Sequence, residues 1–85
     1  MTLKQLLDVT FHQAKLNVTI TYPYGSNKKQ TNVTDHKAVT KDELLELDGV
    51  KAILGNEIDF IEPHFNINIQ SDAIYSVLNV FVKGE

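Results

Sequence analysis

Residues 74–82 read Ile-Tyr-Ser-Val-Leu-Asn-Val-Phe-Val, a run that is apolar on both faces of an extended chain. A strand of this kind is stable only where both faces are covered, so it belongs at the centre of a sheet. A helix would cover one face, and a second helix or another copy of the chain the other. At 85 residues there is room for one such core, which makes residues 1–85 a single domain. With 42% hydrophobic and 22% charged residues, the chain is too apolar to stay disordered.

The rest of the chain supplies the remaining layers. Thr2 and Gln5 form a capping-box pattern, and Leu3, Leu6, Leu7, Thr10 and Phe11 recur at helical spacing, which predicts a helix over 3–13. At Leu16 the period becomes two: Leu16, Val18, Ile20 and Tyr22 lie on one face, and Asn17, Thr19 and Thr21 on the other. Pro23, Gly25, Ser26 and Asn27 then form a turn. Folding back about residues 25 and 26 sets Val18 opposite Val33 and Tyr22 opposite Lys29, giving a polar edge strand at 29–35. Thr40 and Glu43 form a second capping box, predicting a helix over 41–48 ended by Gly49.

Between Val50 and Ile61 two readings stay open. Leu47, Val50, Leu54, Ile58 and Ile61 keep helical spacing, whereas Gly49, Gly55 and Asn56 favour a strand at 50–54, a turn at 55–56 and an extended piece at 57–61. Pro63 is expected to break the chain. Phe65, Ile67 and Ile69 alternate with Asn66, Asn68 and Gln70 before a turn at Ser71 and Asp72. The fold class is therefore α+β: a small antiparallel sheet of four to five strands packed against one or two short helices. Its predicted core is Leu6, Leu7, Val18, Ile20, Leu44, Ile67, Ile69, Leu78 and Val80. On this reading Leu78→Ala alone costs about 2–5 kcal/mol.

Charge narrows the function. The net charge of −3 hides a segregation: residues 1–41 hold six lysines against two acids, while residues 42–62 hold seven acids against Lys51. All eight positive charges are lysine, and without the planar fork of arginine sequence-specific nucleic-acid binding is not expected. Lys28 and Lys29 beside Tyr22 and Tyr24 make only a minimal stacking tip. There is no cysteine, which excludes disulfides and thiolate metal sites and favours the cytoplasm. Residues 1–11 lack the basic start and continuous apolar run of a signal peptide, and no apolar run is long enough for a membrane span.

No constellation for catalysis is legible. His12, His36 and His64 have no zinc spacing, although a fold could bring His36, His64 and Asp35 or Glu62 together. Glu57, Asp59 and Glu62 alternate with Ile58, Phe60 and Ile61 as the wet face of an extended segment does. Ser26, Ser71 and Ser76 sit in no nucleophile elbow, and the four glycines are too scattered for a phosphate loop. The chain is read as a non-enzyme with no cofactor and no metal.

An opening Leu-Lys-Gln-Leu-Leu-Asp, a Val-Thr-Ile strand, a Glu-Leu-Leu-Glu-Leu-Asp-Gly-Val-Lys-Ala-Ile segment and a closing Leu-Asn-Val-Phe-Val follow one another. That succession resembles small accessory proteins encoded by phages and mobile elements of Gram-positive bacteria, although residues 27–40 form a longer polar stretch than the middle loops of that group. The resemblance implies action by binding a host protein and assigns no residue a role. Together with the charge pattern it gives a protein-binding module, with Asp42, Glu43, Glu46, Asp48, Glu57, Asp59 and Glu62 facing a basic partner surface. The alternative is a self-assembling accessory protein, a homodimer joined through an edge strand. A small enzyme of unknown reaction is the third reading.

Overall fold

The computed structural model describes residues 1–12, 14–68 and 73–84, with 64–68 and 73–76 described as backbone. Helix α1 (Leu3–Val9) starts at the predicted capping box. Thr2 Oγ1 accepts from the Gln5 amide at 3.2 Å, and Gln5 Oε1 accepts from the Thr2 amide at 2.9 Å. The helix ends earlier than residue 13 because Thr10 turns extended (φ −82°, ψ 135°) and its hydroxyl donates back to the Leu6 carbonyl at 2.6 Å. Leu3, Leu6 and Leu7 are buried, whereas Val9 and Phe11 are exposed, so a further turn would have nothing to pack on.

The second helical region departs from the sequence reading in one respect. Helix α2 (Lys41–Leu45) is capped by Thr40, whose Oγ1 accepts from the Glu43 amide at 3.4 Å. The chain then extends at Leu47 and re-enters a helix as α3 (Asp48–Lys51), so Gly49 lies inside a helix instead of ending one. In one straight helix Leu44 and Val50 would be about 120° apart around the axis, on different faces. The break at Leu47 lets both be fully buried. Residues 52–56 continue in turns (Ile53 N to Val50 O, Asn56 N to Ile53 O, both 3.0 Å). The strand predicted at 50–54 is therefore absent. Burial of Val50 and Ile53 outweighs the cost of about 1 kcal/mol for a helical glycine.

Strands β1 (Lys15–Thr21), β2 (Thr31–Asn32), β3 (Val39–Thr40), β4 (Ile58–Asn68) and β5 (Ala73–Lys83) form one sheet of order β2-β1-β5-β4, with β3 also on β1. β5 is central, between β1 and β4. Val80 and Val82 on its helix-covered face are buried while Phe81 on the other face is half-buried, so the cover expected for both faces is present on one among the described residues. β4 pairs with it antiparallel, and β1 runs parallel to it from Lys15↔Val77 to Thr21↔Lys83, so the sheet is mixed where an antiparallel one was predicted. Two strands can lie parallel only if a long connection separates them, and here β2, β3, α2, α3 and β4 intervene.

The fold-back about residues 25 and 26 forms in the predicted register, with Thr19↔Asn32, Ile20↔Thr31 and Val33 N donating to Val18 O at 3.0 Å. Its return strand is two residues long, not seven, because side chains take over the bonding. Asn32 Nδ2 donates to Asn17 Oδ1 (2.7 Å), its Oδ1 accepts from the His36 amide (2.7 Å), and Thr34 Oγ1 accepts from the Val18 amide (3.3 Å). Asp35 and His36 then take positive φ (56° and 59°), which turns the chain off the edge. Pro63 does not break the chain. It sits within β4 opposite Leu78, and a sheet accepts proline in an edge strand because the missing donor can face away from the neighbour. Ile69 to Asp72, including the predicted turn, lie outside the described residues.

Three helices cover one face of this sheet. Leu6, Leu7, Val18, Leu44 and Val80 of the predicted core are buried, and Ile20 and Leu78 pack against them half-buried. Leu3, Leu16, Val50, Ile53 and Val82 complete the cluster. Leu78 is thus peripheral, and the cost expected for Leu78→Ala falls accordingly. Ile69 and the Ile67 side chain lie outside what is described. At the end of β5, Gly84 donates to the Thr21 carbonyl at 2.7 Å, where a Cβ would run into the Tyr22 ring and come within 2.8 Å of Ile20 Cγ2.

Candidate functional site

All seven acidic side chains singled out in the sequence are exposed, and they fall into two groups. Asp42 and Glu43 occupy the first turn of α2, Glu46 caps its end and Asp48 opens α3. Thr40 caps the start of α2, and Asp42, Glu43 and Asp48 lie in first turns, where helix N-termini favour acids. Lys51 Nζ lies 4.0 Å from Asp48 Oδ1, an exposed pair of small energy.

Glu57, Asp59 and Glu62 instead follow the start of the β4 edge, across β5 from β1. Two of these three already have partners. Glu57 Oε2 meets the Met1 amino group at 3.0 Å, and Asp59 Oδ2 accepts from Thr21 Oγ1 at 3.1 Å. Asp59 lies at the register shift between Ile58 and Phe60, a bulge that turns its side chain toward the end of β1.

There a recess of about 360 Å³ opens at the carboxyl ends of the parallel strands β1 and β5, lined by Thr21, Tyr22, Pro23, Asp59 and Lys83. One carboxylate and one ammonium give it mixed polarity. The Thr21 hydroxyl is engaged by Asp59 and the Val82 carbonyl (3.3 Å). Beside it Lys28 Nζ lies 5.4 Å from the Tyr22 ring centroid, and Tyr24 is fully exposed. Lysine and tyrosine do meet at the hairpin tip, with a single ring carrying the contact.

The histidines do not converge. His36 follows β2 at one edge of the sheet and His64 lies in β4 at the other. Three strand spacings, about 14 Å, separate those edges. His12 is exposed and contacts Phe11 (ring centroids 4.9 Å apart). Among the described residues no group of three His, Asp or Glu side chains could hold a metal ion. Compared with family models, curated proteins and solved structures, the chain matches none.

One surface has no counterpart in the sequence pattern. β4 is an eleven-residue edge strand, exposed from Asp59 to Pro63, with Phe60 47% and Ile61 38% accessible. Phe60 stacks on Phe81 (4.2 Å between centroids, 15° between planes) on the face away from the helices. The alternation of Ile58, Phe60 and the acids marked this piece as extended. Its place at the rim depends on which strand β5 accepts on its free side, and no local pattern encodes that. Among the described residues no helix is long and apolar enough to cross a membrane.

Proposed function

We propose that this chain is a non-enzymatic, cytoplasmic protein-binding module that presents the acids of α2 and α3 to a basic surface on another protein. The observation that carries this reading is the concentration of Asp42, Glu43, Glu46 and Asp48, all exposed, on two consecutive short helices flanked only by Lys41 and Lys51. Charge of one sign in a compact patch speeds encounter with an oppositely charged surface and selects partners, and salt weakens both effects. Exposed Glu62 extends the patch in sequence, while Glu57 and Asp59 are partly used within the fold. In its sharpest form the patch occupies a groove that otherwise holds nucleic acid. The resemblance to phage and mobile-element accessory proteins agrees with this reading, since those members of the group with an assigned activity usually act by binding a host protein.

The test is capture from a bacterial lysate at low and high salt, with wild type beside the variant Asp42→Asn/Glu43→Gln/Glu46→Gln/Asp48→Asn. A partner held at low salt, released by salt or by added DNA and lost in the variant is the expected result. Capture that the variant retains would refute the acidic patch. A second reading, self-assembly through an edge strand, is favoured by one specific observation: the sheet ends in a long, exposed strand.

A further inference from the structure

We infer that the β4 edge, from Phe60 to Asn68, pairs antiparallel with the same edge of a second copy, joining two sheets into one. This inference rests on the self-assembly reading and not on the acidic patch, and it moves the contact from the predicted 29–35 strand to the opposite rim.

The two rims of the sheet are unlike. β2 and β3 are two residues each and end in side-chain bonding and a positive-φ turn, so that rim offers little backbone to a partner. β4 is eleven residues long. Its first position is occupied, because the Ile58 amide donates to the Met1 carbonyl at 2.8 Å and Thr2 bridges Glu57. Beyond it, the outward groups from Phe60 onward meet no other strand among the described residues. Residues Ala73 to Ser76 of β5 also run past the start of β1, which begins opposite Val77, so there the hairpin has two strands among the described residues. Two strands alone are marginal in water, and a third from a partner is what stabilises them.

Charge identifies the partner as a copy. Proteins that keep an edge free protect it with charged residues, lysine above all, with proline or with a bulge, and β4 carries its bulge and Pro63 only in its first six positions. Between Lys51 and Lys83 there is no lysine, and from Phe60 to Val82 the only charged residues are Glu62 and Asp72. In a two-fold contact both copies bring the same charges to one seam, so they meet with least repulsion along a charge-poor strip; paired on itself, 60–68 sets Glu62 opposite the uncharged Asn66. The acidic α2–α3 surface is unsuited to that, and the β4 edge is suited to it. Because the other rim is blunted, pairing stops at two copies instead of continuing into a fibre.

Size sets the strength. Nine strand residues span about 30 Å, and the half of the hairpin beyond β1 is a single sheet layer roughly 10 Å thick. The contact therefore takes on the order of 300 Å² from each copy, the range of weak, reversible pairs. Pro63 lowers it further by contributing no backbone donor.

Sedimentation equilibrium up to high micromolar concentration tests this with wild type, Ile61→Lys on the β4 edge and Thr31→Lys on the β2 edge, each checked for folding by circular dichroism. Wild type should dimerise, Ile61→Lys should raise the dissociation constant by about tenfold or more, and Thr31→Lys should leave it unchanged. Amide hydrogen exchange of the wild type is the readout independent of any variant: exchange in 60–68 should slow as concentration rises. If wild type dimerises but exchange in 60–68 is independent of concentration, or only Thr31→Lys disrupts the dimer, the β4 edge is refuted and self-assembly stands. A wild type that stays monomeric throughout overturns both, and leaves the acidic patch to be judged by its own test.

Discussion

Leu44→Ala is the substitution that most directly tests the core described here. Leu44 is the one buried residue of the five-residue helix α2, is fully inaccessible, and joins α2 to the cluster of Leu16, Val18, Val50 and Val80. Truncation removes three carbons, about 2.4 kcal/mol of transfer free energy at roughly 0.8 per methylene. The cavity left behind raises the total to about 3–5 kcal/mol where the surroundings cannot collapse. Leu78→Ala removes the same atoms from a half-buried site at the start of the β1–β5 ladder, and should cost about half as much, roughly 1–2 kcal/mol. A domain of this size has a stability of about 4–13 kcal/mol in total, and each kcal/mol moves its melting temperature by about 4–8 °C. Leu44→Ala should therefore melt at least about 12 °C below wild type, with Leu78→Ala between the two. Urea denaturation followed by circular dichroism gives the free energies directly. If Leu78→Ala proves as damaging as Leu44→Ala, the core is not centred where α2 meets β1, and the packing argument fails.

Two further substitutions probe the helix boundaries. Thr2→Ala removes the reciprocal cap of α1 and should destabilise by about 1 kcal/mol; an unchanged denaturation midpoint would mean that packing of Leu3, Leu6 and Leu7 alone holds the helix. Gly49→Ala should be neutral or stabilising by up to about 1 kcal/mol, since Gly49 is helical and its new Cβ would only touch Val33 Cγ1 at 3.4 Å. A loss of stability there would instead support the helix-terminating role that the sequence suggested for this glycine.

Much of this chain was legible one segment at a time. The two threonine caps, the Leu3-Leu6-Leu7 stripe, the strand at 15–21, the register of its fold-back and the central place of residues 74–82 all follow from local chemistry or short periodicity. So does the exposure of the seven acids, because a charged side chain leaves water only when it is paired. Tertiary structure decided the rest. Whether residues 50–54 became strand or helix depended on Val50 and Ile53 finding the space beneath α1 and the sheet, where burial outweighed the glycine penalty. Pro63 could continue a strand only because β4 is an edge, and β1 lies parallel to β5 only because the long stretch from β2 to β4, with α2 and α3, connects them. The split of the acids between α2–α3 and the β4 edge, and the long charge-poor rim, arise in the same way. They are relations between strands distant in sequence, and a pattern with a period of two or 3.6 residues carries no information about which edge is left for a partner.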